Sequence, residues 1–243
     1  ADSSPLAQIC WSNEEMTAQY ILNVENILRN DMKSEFIMLG QEDVTPCCSC
    51  ENCIEAMEKY KNHAGLQIVF ANKVAKAVDE WLAVNQPGRK ISYVIYAYHE
   101  TLGAPIDSAG KPICEEVIPR DNVIIMYTPM GMNFAYSIFD DKNATFGRNL
   151  LDWQSLCTAG NIMIYSYCIN FNAYFMNFDN YDSLQSNYRI YADNNVSYLF
   201  EQGPLNANTP AFQELKIYAM SRMMWDASQN YEEVVRDFIL HYY

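Results

Sequence analysis

The sequence predicts an α/β fold of the TIM-type (β/α)8 barrel, with this chain covering about the C-terminal five β/α units. Five short apolar segments alternate with longer segments in which apolar residues recur at helical spacing. Polar or aromatic residues follow nearly every short segment, at the predicted carboxyl end of a strand, where barrel enzymes carry their active sites. We expect one domain that spans residues 1–243.

A doubly wound open sheet would also alternate strands with helices. Such a sheet normally carries a glycine-rich turn after its first strand when it binds a nucleotide. Here that turn is Gly40-Gln41-Glu42-Asp43, whose carboxylates would repel a phosphate. The barrel is therefore the better prediction. Because a barrel needs eight strands and only one helix precedes the first predicted strand, we expect the chain to be the C-terminal portion of a longer barrel.

The predicted strands are short and apolar, as buried parallel strands are. In chain order they cover residues 35–40, 90–98, 122–128, 161–167 and 196–200.

The predicted helices show apolar residues at a period near 3.6. The first follows Ser12, which starts a Ser-x-x-Glu capping box, and the second is marked by the apolar stripe from Leu66 to Leu82. The others cover residues 146–156, 181–192, 211–225 and 231–242.

The charge of the chain argues against two classes of partner. The formal net charge is −14, and the 16 Lys and Arg residues form no run. Neither a nucleic-acid backbone nor an anionic membrane suits such a surface. We also expect no transmembrane segment, because no stretch of about 18 apolar residues occurs.

Two adjacent acids, Glu42 and Asp43, follow the first predicted strand and are the candidate catalytic residues. A neighbouring carboxylate raises the pKa of a carboxyl group, so that one member of a pair can act as an acid. The alternative is that Asp43 caps the next element while Glu42 is a solvated turn residue.

Candidate substrate-binding residues lie near the ends of the later strands. The chain has 18 Tyr, and aromatic rings cover the apolar faces of sugars while carboxylates bind their hydroxyl groups. Alternatively, the tyrosines fill strand ends and the acids are surface charges. The candidates are Tyr98, His99, Glu100, Tyr127, Tyr165, Tyr167 and Glu201.

Four cysteines could form a structural zinc site. Cys48, Cys50 and Cys53 are too closely spaced for an ordinary disulfide framework, but thiolates at this spacing can converge on a soft metal, with Cys10 as the fourth ligand. Disulfides or free thiols remain alternatives. Four thiolates leave no open coordination position, so a catalytic metal is the less natural interpretation.

The order of several short motifs resembles a bacterial family, domain of unknown function 4838, part of which is classed as glycoside hydrolase family 163. The chain is also distantly similar to glycoside hydrolase family 20. The motifs are Gln8-Ile9-Cys10, Leu39-Gly40-Gln41-Glu42-Asp43, Cys48-x-Cys50-x-x-Cys53, Phe70-Ala71-Asn72, Ala97-Tyr98 with Ala104-Pro105, Trp153, Tyr165-Ser166-Tyr167 and Met224-Trp225-Asp226.

This resemblance implies a glycosidase-like catalytic domain with endo-β-N-acetylglucosaminidase activity on N-glycans of glycoproteins. It implies a retaining mechanism in which the acetamido group of the sugar assists and no cofactor takes part. Glu42 would be the general acid and Asp43 the group that orients the acetamido N–H, with the roles exchangeable. In family 20 the corresponding turn is Gly-Gly-Asp-Glu, so the acids here stand in reversed order.

The resemblance further implies a periplasmic, cell-surface or secreted location in a bacterium. From another functional class, a non-catalytic carbohydrate-binding or structural module of a polysaccharide-utilisation system fits the same aromatic-rich strand ends. Such a module would bind glycans without cleaving them.

Overall fold

The computed structural model describes residues 8–157, 160–204 and 211–242. All five predicted strands are present in this part of the chain, and none of its helices is long and apolar enough to cross a bilayer. The elements are α1 Glu14–Asn30, β1 Phe36–Met38, α2 Glu51–Tyr60, α3 His63–Asn85, β2 Ser92–Ala97, β3 Val123–Tyr127, α4 Ala144–Leu156, β4 Ile162–Tyr167, α5 Tyr181–Asp193, β5 Val196–Gln202, α6 Gln213–Trp225 and α7 Tyr231–Tyr242.

The strands form a parallel five-stranded sheet in the order β1-β2-β3-β4-β5. Phe36 pairs with Ser92 in β2, and Tyr93 pairs with Val123 in β3. A strand order that never reverses is that of a β/α barrel, whereas a doubly wound sheet reverses at a switch point. The fold is therefore α/β and consistent with part of a (β/α)8 barrel. Closure into eight strands stays a prediction.

The described residues belong to two compact units. One comprises the chain up to Thr128 together with Asp152–Ile162, and the other comprises Pro129–Leu151 together with the chain from Met163 onward. The prediction of a single domain over residues 1–243 stays a prediction.

In the first unit, the long helix α3 supplies much of the core. Its residues Phe70, Val74 and Val78 are fully buried, as is Leu28 of α1. The strand β3 reads Val-Ile-Ile-Met-Tyr and is buried at every position, as expected of a parallel strand covered on both faces. Burial of such apolar side chains contributes about 1.5–3 kcal/mol each.

In the second unit, buried amide side chains hold the loop that precedes α4. The Asn143 side chain donates hydrogen bonds to the backbone carbonyls of Asn133, Tyr136 and Ser137 at 2.9–3.2 Å. The backbone N–H of Ile138 donates to Asn187 Oδ1 on α5 at 2.8 Å. These bonds satisfy backbone groups that an irregular buried segment would otherwise leave unpaired.

The sequence analysis gave no element between the cysteines and the stripe that starts at Leu66, but the chain forms α2 there, whose residues Cys53 and Tyr60 are buried seven positions apart. The expected cap of α1 was Ser12, but Asn13 is the N-cap, because its side-chain oxygen accepts from Met16 N at 2.8 Å. Ser12 instead lies among the cysteines, with its hydroxyl 3.0 Å from Cys53 Sγ.

Gly65 in the first turn of α3 provides a test of packing in the first unit. A Cβ at this position would lie 2.3 Å from Tyr60 O and 2.8 Å from Tyr60 Cβ. We expect Gly65→Ala to lower the free energy of unfolding by about 1–3 kcal/mol, because the clash outweighs the better helix propensity of alanine. Chemical denaturation measures the change.

Gly103→Ala is the matched control, since a Cβ there meets nothing within 4 Å. It should change the stability by less than about 0.5 kcal/mol. Equal effects of the two substitutions would contradict the packing described here.

Candidate functional site

The acid pair lies where the chain leaves β1. Leu39 is buried and its N–H still donates to Val94 O of β2 at 2.8 Å, but the strand itself ends at Met38. Consecutive side chains of a strand point to opposite faces. Because Glu42 and Asp43 follow the strand, with a bend at Asp43, this alternation does not force them apart. Both residues are exposed to solvent.

Two glutamine side chains hold the backbone around the pair. Gln8 donates to Glu42 O at 2.7 Å and to Val44 O at 3.0 Å, and its own oxygen accepts from Glu42 N at 3.0 Å. Gln41 donates to Tyr98 O at 3.1 Å and accepts from Thr101 Oγ1 at 2.9 Å. The loop that carries the acids is therefore tied both to the chain before α1 and to the end of β2.

The residues after β2 meet Asp43 directly. His99 Nε2 lies 3.4 Å from Asp43 Oδ1, with 25% of the His99 side chain and 84% of the Asp43 side chain exposed. The His99 ring packs on Tyr98, with ring centroids 3.7 Å apart. At this distance a protonated imidazole pairs with a carboxylate, and the pair can hold Asp43 in position.

Tyr96 is the third aromatic residue at this edge. Burial raises the pKa of Tyr96, and the negative charge of the nearby Asp43 raises it further. Its ring also lies 3.6 Å from the point where a Cβ of Gly40 would stand. Glu100 is exposed, and its charge acts on Cys47 in the loop that follows the acid pair. Acids, an imidazole and tyrosines thus share one edge of the first unit.

The four cysteines expected to bind metal also come together in the first unit. The Sγ atoms of Cys10, Cys48, Cys50 and Cys53 all lie within 4.8 Å of one another. Cys10 comes from the segment before α1, and the other three come from the loop and first turn that lead into α2.

In the second unit, Tyr165 and Tyr167 form part of an aromatic surface. The Tyr165 ring lies 5.5 Å from Tyr167 and 4.7 Å from Phe200, and its hydroxyl donates to Gln202 Oε1. Both tyrosines are half-buried. Such rings offer flat apolar faces beside a polar amide, a combination that suits sugars.

Glu201 carries a buried carboxyl group in the same unit. Its Oε1 accepts from Tyr188 Oη at 2.9 Å, while its Oε2 is buried without a hydrogen-bond partner. Burial raises the pKa of Glu201 to about 7, and the hydrogen bond from Tyr188 acts in the opposite direction. Glu201 lines a cavity of about 450 Å³ together with Tyr165, Gln202 and Lys216. Burial lowers the pKa of Lys216 to about 8.

A family model described as "Domain of unknown function (DUF4838)" matches residues 2–243. The chain belongs to this family. No curated protein is significantly similar to this DUF4838 chain in sequence.

A solved structure similar to the DUF4838 chain is that of a beta-N-acetylhexosaminidase from Bacteroides fragilis, with a TM-score of 0.51 and 11% identity. The match covers 96% of this chain but 44% of the hexosaminidase, so the chain spans less than half of that protein. At this identity the likeness shows a glycosidase-like fold.

The structure distinguishes among the residues predicted for the site of this DUF4838 chain. Asp43 contacts His99, and His99 packs on Tyr98, at the edge of the first unit where Glu42 precedes Asp43 in the chain, whereas Tyr127 at the end of β3 is fully buried in the core. A ring that is 0% exposed is not open to a ligand, so the prediction that Tyr127 binds substrate is not supported.

Sequence reasoning missed Tyr96, Gln41 and Tyr188. Alternation along β2 could have indicated Tyr96, because it lies two residues before Tyr98. Gln41 stands inside the Gly40-Gln41-Glu42-Asp43 turn, where the charged neighbours carry the stronger signal of chemistry. No local signal places Tyr188 of α5 against Glu201, since that contact depends on how the helix packs.

The buried Glu201 predicts a pH-dependent stability of the second unit. The unfolded chain loses this proton near the ordinary pKa of 4.5, whereas the folded protein keeps it up to about 7. The free energy of unfolding therefore falls as pH rises between these values, by at most about 3 kcal/mol. We expect Glu201→Gln, which removes the titrating group, to be more stabilising near pH 7.5 than near pH 5.

Thermal unfolding of both proteins at the two pH values measures this difference. Glu232→Gln, at an acid in the exposed first turn of α7, is the control and should show no such change. If Glu201→Gln shifts the melting temperature equally at both pH values, the carboxyl group is already ionised in the folded protein.

Proposed function

We propose that the protein is a retaining glycoside hydrolase that cleaves β-linked N-acetylglucosamine in N-glycans, as in glycoside hydrolase family 163. The observation that carries this proposal is the exposed Glu42–Asp43 pair, with Asp43 held by His99 beside Tyr96 and Tyr98. The hexosaminidase-like fold and the DUF4838 family support it. Because the chain spans less than half of that hexosaminidase, the activity is proposed for the intact gene product.

Glu42 is the proposed general acid. It donates its proton to the glycosidic oxygen as the carbonyl oxygen of the substrate's own acetamido group attacks the anomeric carbon. The bond to the leaving sugar breaks, and a cyclic oxazolinium ion forms. Glu42, now ionised, then accepts a proton from the water that opens this ring, so that the configuration is retained.

Asp43 is the proposed orienting group. An ionised carboxylate can accept a hydrogen bond from the acetamido N–H. It can also stabilise the positive charge that develops on the ring of the intermediate. His99 supports this division of roles, because its ring nitrogen lies 3.4 Å from the Asp43 carboxyl group and can hold that group in position. Glu42 has the freedom of an exposed side chain on a backbone that Gln8 anchors.

The aromatic residues are the proposed sugar contacts. Tyr98 in the first unit and Tyr165 and Tyr167 in the second offer ring faces on which pyranose C–H groups can pack. Glu100 and Glu201 are proposed to bind sugar hydroxyls. The proposed partner is a glycan or glycoprotein, in the periplasm, at the cell surface or outside a bacterial cell. Catalysis needs no cofactor in this scheme.

The first prediction concerns the general acid. Glu42→Gln in the intact gene product should lower kcat on an N-glycoprotein by about 100-fold or more, because glutamine cannot donate the proton. Released glycans are measured by mass spectrometry. Affinity for the glycan should stay within about threefold, because the amide keeps the shape of the side chain.

Glu35→Gln is the matched control, since Glu35 is an exposed acid just before β1, at the opposite end of that strand. It should leave kcat unchanged. Equal activity of Glu42→Gln and the parent would overturn the assignment. Glycan binding without hydrolysis by the parent would instead support a carbohydrate-binding module.

The second prediction concerns substrate assistance. Asp43→Asn should lower kcat on an aryl N-acetyl-β-glucosaminide by about 100-fold, because the acetamido group is no longer held by a charge. A stable thiazoline that mimics the oxazolinium ion should inhibit the parent much more strongly than Asp43→Asn. Tight binding of this analogue to both proteins would contradict the role of Asp43.

A further inference from the structure

We propose that Cys10, Cys48, Cys50 and Cys53 bind one Zn²⁺ ion in a closed tetrahedral site that anchors the loop carrying Glu42 and Asp43. The zinc site is argued from the thiol geometry and does not depend on the proposed activity. Only its effect on the acid pair rests on the proposed function.

The separation of the sulfur atoms fits a metal-centred tetrahedron. Cys10 Sγ lies 3.7 Å from Cys50 Sγ and 3.6 Å from Cys53 Sγ. With Zn–S bonds near 2.3 Å, the sulfurs of a regular tetrahedron stand about 3.8 Å apart. A disulfide would bring two of them to about 2.05 Å. The two distances from Cys10 match this tetrahedron, all four sulfurs lie within 4.8 Å of one another, and each of these cysteines is a free thiol.

The Ser12 hydroxyl lies among the four cysteines and can donate a hydrogen bond to a negatively charged sulfur. The Ser12 hydroxyl lies 3.4 Å from Cys10 Sγ and 3.8 Å from Cys50 Sγ. The Ser12 hydroxyl adds a contact of 3.0 Å to Cys53 Sγ. Hydrogen bonds of this kind orient the ligands and spread the charge of a four-thiolate site.

The start of α2 contributes in a second way. Cys50 is the N-cap of this helix and Cys53 stands in its first turn. The positive end of the helix dipole favours thiolates there. A Cys-x-x-Cys pair at a helix start also directs both sulfurs to one side, because positions three apart share a face.

The chemistry of the donors selects the ion. Four thiolates are soft ligands, which exclude Mg²⁺ and Ca²⁺ and favour zinc or iron. They also fill all four coordination positions, so that no water can be activated, and the site is structural.

The site lies where it can stabilise the acid pair. Cys10 follows Gln8 by two residues, and Gln8 makes three hydrogen bonds to Glu42 and Val44. Cys48 follows Asp43 by five residues in the same loop. A metal that joins Cys10 to Cys48 therefore links the two ends of a chain segment that includes Glu42 and Asp43. This link limits the conformational freedom of the loop that carries the acid pair.

The experiment measures metal content and geometry without reference to activity. The protein is purified without chelator, and zinc is quantified by plasma mass spectrometry. We expect one Zn²⁺ per chain. After exchange for Co²⁺, visible absorption should show intense bands of a tetrahedral four-thiolate complex. Removal of zinc with a chelator should lower the melting temperature, and zinc alone should restore it.

Cys50→Ser tests the ligand set, and Cys47→Ser is its matched control. Cys50 is exposed, so serine there disturbs packing little, and Cys47 is a neighbouring thiol outside the cluster. Cys50→Ser should lose zinc and the response of its melting temperature to chelator. Cys47→Ser should keep both.

Three results would overturn the proposal: a chain without metal and insensitive to chelator, a disulfide among these four cysteines in the mass spectrum, or bound iron in place of zinc. If zinc is present while Glu42→Gln retains full hydrolytic activity, the metal site stands and the proposed general acid does not.

Discussion

Parallel pairing of β1 with β2 is the constraint on which the candidate site depends. Parallel strands end at the same edge of a sheet, so the register that sets Phe36 beside Ser92 also brings the segment after Met38 to the segment after Ala97. Every contact between the acid loop and the residues after β2 follows from this. An antiparallel pair would place the two loops at opposite ends.

Neutral amides hold the charged groups of the loop in place. Gln8 and Gln41 satisfy the backbone around Glu42 and Asp43, while the carboxylates themselves stay in water. Exposed carboxylates cost no desolvation, and anchored backbone limits the freedom that an irregular loop would otherwise have. The loop is thus ordered by side chains that carry no charge, and the acids remain available for chemistry.

In the second unit, by contrast, the acid Glu201 has a buried carboxyl group. Glu201 is buried against Tyr188, and burial disfavours the charged form of its carboxyl group. An acid that can be neutral near pH 7 is able to donate as well as accept a hydrogen bond. Glu42 is therefore exposed while the Glu201 carboxyl group is buried, although each of these glutamates follows an apolar run in the sequence.

The sequence by itself determined the five strands, most helices and the family, because hydrophobic period and short motifs are local properties of the chain, and it indicated the acid pair, whose catalytic role stays a prediction. It also indicated the cysteine set from spacing. It missed α2, a helix of ten residues that begins within the cysteine motif, and it placed the cap of α1 one residue early.

Only the tertiary structure decided what lies around each candidate residue. It placed His99 against Asp43, brought Cys10 to Cys50 across 40 positions, and buried Tyr127 and the Glu201 carboxyl group. These outcomes depend on packing between segments far apart in the chain, and a residue's type and immediate neighbours contain no information about which distant segment will cover it.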